Sequence, residues 1–137
     1  MSVESLQNSI RSCNKEIDEL NAEIRELNKE MDRVLNAQSQ TKQREGNFLY
    51  YLSREKTVAA KVSANERVKI AVGFGNRMNS VLAGAKYRSA MSSIDAIKKA
   101  LVKRKSEIEA RIAQCKRRII TLQDKIRSLK LQLSVLQ

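Results

Sequence analysis

Residues 3–34, VESLQNSIRSCNKEIDELNAEIRELNKEMDRV, decide the fold. Val3, Leu6, Ile10, Cys13, Ile17, Leu20, Ile24, Leu27, Met31 and Val34 follow one another at alternating steps of three and four. A helix turns once in 3.6 residues, so this spacing lays them along one narrow stripe, the mark of a coiled-coil seam. A second run repeats the pattern near the C-terminus: Ile112, Cys115, Ile119, Leu122, Ile126, Leu129, Leu133 and Leu136. Upstream of it Ile94, Ile97, Leu101 and Ile108 keep a helical period in a less defined phase, which points to a stutter near Ile108. Residues Ile17, Leu20, Ile24, Leu27, Ile119, Leu122, Ile126 and Leu129 are the expected interhelical seam.

The charges beside the seams give an orientation. Glu16, Glu23 and Glu30 immediately precede seam positions in the first run, as Arg111, Arg118 and Lys125 do in the second. Antiparallel helices place these flanking rows opposite each other, acid against base. Pairing Glu16 with Lys125, Glu23 with Arg118 and Glu30 with Arg111 gives one register, with partner numbers summing to 141 and a fold-back near residue 70 or 71. Beside that point stands Gly73-Phe74-Gly75-Asn76, where glycine can end one helix and Asn76 cap the next. The expectation is an all-α protein, a long antiparallel coiled-coil helical hairpin with its turn near Gly73–Asn76. Residues 1–137 form a single domain, with arm one over 2–72, the turn at 73–76 and arm two over 77–137. Seams pairing between molecules, with a kinked helix at the glycines, remain the alternative.

Composition agrees with narrow seams. Of 137 residues only 4% are aromatic, with no Trp and no Pro, and Gly occurs only at 46, 73, 75 and 84. A broad globular core is hard to build from this. The first residues lack the basic head and apolar run of a cleavable signal, and no stretch is apolar enough for a membrane span. A cytoplasmic protein is expected, with export lacking a cleavable signal peptide as the other option. Cys13 and Cys115 fall on the seams and read as small core residues. Ser2 is placed to cap the first helix, and Ser92 to Asp95 has the spacing of a capping box within the second arm.

Two features point outward. Phe48-Leu49-Tyr50-Tyr51-Leu52 is too continuous to be one face of a two-stranded coil, so part of it is expected to remain outside the hairpin as a partner surface. In the proposed register it lies opposite Gly84, Ala85, Ser89, Ala90 and Met91, large against small. The charge is also uneven: residues 1–72 carry 12 basic and 11 acidic groups, residues 73–137 carry 15 and 4, within a formal net charge of +12. Lys98-Lys99, Lys103-Arg104-Lys105 and Lys116-Arg117-Arg118 form the basic stretch of this basic protein. Phe48, Leu49, Tyr50, Tyr51, Leu52, Phe74, Lys103, Arg104 and Lys105 are therefore the candidate partner-binding residues.

The chain has no His, no glycine-rich phosphate loop and no paired carboxylates outside solvated helix faces. Catalysis needs converging groups of tuned pKa, so no enzyme is expected, and no catalytic, cofactor-binding or metal-ligating residue is assigned. Protein binding is the expected activity, with another long helical protein as partner. Nucleic acid is the weaker reading of the basic arm, because no aromatic residue interleaves with its cations. A self-assembling structural coiled coil, a homo-oligomer in another export apparatus, is a third.

The layout of two long antiparallel helices, with a glycine turn bearing one aromatic residue at its tip, resembles the small α-helical proteins associated with LXG-type toxins. These are similar to the WXG-like helical hairpins of type VII secretion systems. Phe74-Gly75 stands where that group has its Trp-x-Gly turn. The group's export signature, an aromatic residue followed four positions later by an acid, is absent at Phe74, followed by Met78, and at Tyr87, followed by Met91. The resemblance implies a targeting factor or chaperone that binds the helical N-terminal domain of a secreted toxin.

Overall fold

The computed structural model describes residues 2–63, 69–82 and 84–137. Three helices follow in order, α1 (Val3–Ser63), α2 (Lys69–Leu82) and α3 (Ala85–Leu136), with no strand among the described residues. α1 starts at the expected cap: the hydroxyl of Ser2 accepts the N–H of Ser5 at 3.1 Å, and Glu4 adds negative charge in the first turn, where the helix dipole favours it. α1 and α3 pack against each other with acids of one meeting arginines of the other, so the all-α helical hairpin is the observed fold.

The joining segment differs from the expected turn. Gly73-Phe74-Gly75-Asn76 lies inside α2, and no glycine among the described residues has a positive φ. A glycine costs a helix only about 1 kcal/mol relative to alanine, too little to break one by itself. The break before α3 falls instead at Gly84, whose N–H bonds the carbonyl of Val81 at 3.1 Å. A Cβ there would stand 3.1 Å from the same carbonyl oxygen, which explains the glycine. Arm one, expected over 2–72, thus comprises α1 and the start of α2, and residues 64–68 of it lie outside the described residues. Ser92 to Asp95 starts no new helix, since α3 runs through it.

The chain divides into two compact units, Met1–Val34 with Lys103–Gln137, and Leu35–Val102. In the first, Leu6, Cys13, Leu122, Ile126 and Leu129 form a buried cluster, with Ile10, Ile17, Leu20 and Leu133 packed against it. Ile24, Leu27 and Ile119 are half-buried. Of the residues expected on the interhelical seam, Leu122, Ile126 and Leu129 are thus in this cluster and Ile17 and Leu20 pack against it. Leu136, the last residue of the second apolar run, is exposed.

The helix phase is more regular than the apolar pattern implied. On α3, Leu101, Ile108, Cys115, Leu122 and Leu129 follow at sevens and are all at least half-buried, while Ile97 is 50% exposed. No stutter occurs at Ile108, which is wholly buried and in phase; the apparent slip came from counting Ile97 as a seam residue. On α1 the inward row continues unbroken past Val34 through Gln38, Thr41, Glu45, Phe48, Leu52, Glu55, Ala59 and Val62, every one half-buried or buried. The second unit thus has a seam of mixed polarity. Thr41 satisfies its hydroxyl on the carbonyl of Ala37 at 2.7 Å, and Glu45 accepts from Lys98 Nζ at 3.0 Å.

Candidate partner-binding site

In the first unit the flanking charge rows meet one heptad away from the expected register. Glu16 pairs with Arg118 at 2.9 Å, Glu23 with Arg111 at 2.6 Å and Glu30 with Arg104 at 2.6 Å. Partner numbers sum to 134 in each pair instead of 141. The rows allow both alignments, because three acids face four cations at sevens: Arg104, Arg111, Arg118 and Lys125. Only in the observed one does every acid meet an arginine. The planar guanidinium forks onto a carboxylate, as Arg111 does on Glu23 through Nε and Nη2 and Arg118 on Glu16 through the same two nitrogens; lysine cannot.

These contacts tune the groups that make them. Hydrogen bonds from Arg118 hold the Glu16 carboxyl below the ordinary carboxylate value, and those from Arg111 do the same for Glu23. Arg104, Arg111 and Arg118 are raised by the same bonds, to Glu30, Glu23 and Glu16. Burial pushes the Cys115 thiol up, and its Sγ–H donates to Glu23 Oε2 at 3.5 Å, which adds to the shift.

The basic cluster does not form one surface. Lys103 is exposed, Arg104 is held by Glu30 and Glu107, and Lys105 is half-buried on the inward row of α3. Three successive residues on a helix point about 100° apart, so a run in sequence is not a patch in space.

The aromatic stretch divides as its continuity requires. Phe48 and Leu52 take inward positions; Leu49 is exposed, as are Tyr50 at 66% and Tyr51 at 67%. The partner of Phe48 is not a small residue but Tyr87, ring centre to ring centre 5.9 Å. Leu52 borders an open groove with Tyr87 and Met91. Phe74 is 55% exposed on α2, within a helix and not at a turn tip. Sequence reading missed Tyr87 as the partner of Phe48, because its inward phase shows only once Leu101 and Ile108 are placed on the seam. It also passed over Tyr51 and Glu55 on α1, which have the aromatic-then-acid spacing absent at Phe74 and Tyr87.

What this geometry defines is a class, the antiparallel coiled-coil helical hairpin with an apolar patch outside its seam. No family model, no curated protein and no solved structure matches the chain. Among the described residues no helix is long and apolar enough to cross a membrane.

Proposed function

We propose that this chain is a non-catalytic helical adaptor, a targeting factor or chaperone that binds the helical N-terminal domain of a secreted LXG-type toxin for type VII secretion. The observation that supports it is the exposed trio Leu49, Tyr50 and Tyr51, standing beside inward Phe48 and Leu52 on a helix whose seam needs none of the three. Large apolar side chains left in water on such a helix favour burial against another protein. The resemblance in layout supplies the kind of partner, and the type VII export route belongs to the same proposal.

The test is co-purification with the N-terminal helical domain of an LXG-type toxin encoded in the same genome. Binding is expected to persist in high salt, since apolar burial carries it, and to be lost in Tyr51→Lys with the helical spectrum unchanged. Unchanged binding by that variant would remove the interface. If instead the chain binds a DNA duplex, with affinity falling about 10³-fold or more between about 50 and 200 mM salt, the nucleic-acid reading takes its place.

A further inference from the structure

Resting on the adaptor reading, we propose that the open groove between α1 and α3 in the Leu35–Val102 unit seats an acidic amphipathic helix of the partner. The groove encloses about 480 Å³ and is bordered by Leu52 and Lys56 on α1 and by Tyr87, Arg88, Met91 and Asp95 on α3. Leu49 extends its apolar side, lining a neighbouring hollow with Leu52 and Lys56.

Three properties select the occupant. The borders are helix rows, Leu52 with Lys56 and Tyr87 with Met91 and Asp95, each repeating at four residues. They present no unpaired backbone edge, so an incoming segment must satisfy its own backbone hydrogen bonds, which a helix does and an extended peptide does not. Ridges at four-residue spacing also accept the matching ridges of a third helix. The floor is apolar, made by Leu52, Tyr87 and Met91, so the occupant needs an apolar stripe. The rim is basic. Lys56 and Arg88 form no ion pair among the described residues, unlike Lys98, Arg104, Arg111 and Arg118. The sequence of this unit carries 12 basic and 4 acidic residues, a formal charge of +8. Carboxylates flanking the apolar stripe match Lys56 and Arg88, and a cation one turn further on matches Asp95. A nucleic-acid strand would meet the two cations but leave the floor uncovered.

The probe is a labelled synthetic helix of about 20 residues, long enough to form alone, with leucine at seam positions and glutamate beside them. A matched peptide has lysine for glutamate, and a short DNA duplex serves as the third probe. Fluorescence anisotropy with the full chain is expected to show the acidic helix bound more tightly than the basic one by roughly tenfold or more. Lys56→Glu with Arg88→Glu, both on water-facing helix positions, is expected to reverse that preference while the thermal midpoint holds. Equal binding of the two peptides overturns the proposal, as does duplex binding that matches the acidic helix. Preference for the acidic peptide that survives the double reversal moves the seat elsewhere and overturns the groove, yet leaves the adaptor reading intact. Toxin-domain binding that is lost in Tyr51→Lys but indifferent to Lys56 and Arg88 separates the two in the same way.

Discussion

Glu23, in the seam's acidic row, accepts three bonds: two from Arg111 and one from the Cys115 thiol. Its carboxyl, like that of Glu16, is lowered from 4.5 by its arginine. A carboxylate more acidic in the folded state adds stability above its unfolded pKa, and that stability fades as pH falls through the folded value. The thermal midpoint is therefore expected to decline below about pH 4.5. Glu16→Gln with Glu23→Gln is expected to flatten that decline, followed by circular dichroism at low salt, since these pairs touch water and salt screens them. In the core, Leu122→Ala is expected to cost about 2–5 kcal/mol in denaturant unfolding, as it empties a wholly buried site. The Cys13 and Cys115 thiols, both buried, are expected to label slowly with an aromatic disulfide reagent until the chain is unfolded, Cys115 having its thiolate disfavoured as well.

At the scale of elements, the seams and their orientation were legible because Val3 to Val34 and Ile112 to Leu133 write the heptad in apolar residues. The register was not. A heptad pattern is unchanged by a shift of seven, and the deciding member, Arg104, sits where Ile97 obscures the phase. Crosslinking reads it directly: on a background with Cys13 and Cys115 changed to Ser, Glu16→Cys with Arg118→Cys is expected to form a disulfide, whereas Glu16→Cys with Lys125→Cys is expected to stay reduced. The glycines separate turn from helix just as plainly. Gly73 is helical with nothing within 4 Å of an added Cβ, so Gly73→Ala is expected to stabilise the chain by about 0.5–1 kcal/mol. Gly84→Ala is expected to destabilise it, because its Cβ meets the Val81 carbonyl. A turn at Gly73–Asn76 would reverse the sign of the first.

Across the whole molecule, buried apolar side chains are unevenly distributed. The Met1–Val34 and Lys103–Gln137 unit has a continuous apolar cluster, while the Leu35–Val102 unit keeps the same helix phase with Gln38, Thr41, Glu45 and Glu55 turned inward. Hydrogen exchange is expected to be slower for amides of 6–34 than for those of 38–62, since local opening is easiest where least apolar surface is buried. That polar stretch of seam was illegible because an inward helix face is read from apolar periodicity, which Gln38, Thr41, Glu45 and Glu55 interrupt. The candidate site was half legible for the same reason: Phe48 to Leu52 stand out on α1, but the groove exists only with Tyr87, Arg88 and Met91 opposite.

The unbroken phase of α1 from Val3 to Val62 has an evolutionary consequence. Loss or gain of one residue turns everything beyond it by about 100° and unseats the face, whereas loss of seven from each arm removes a block and leaves every remaining contact in place. Descendants of this chain can therefore grow or shorten in steps of a heptad without relearning how to fold, so that reach and fit are inherited as separate traits.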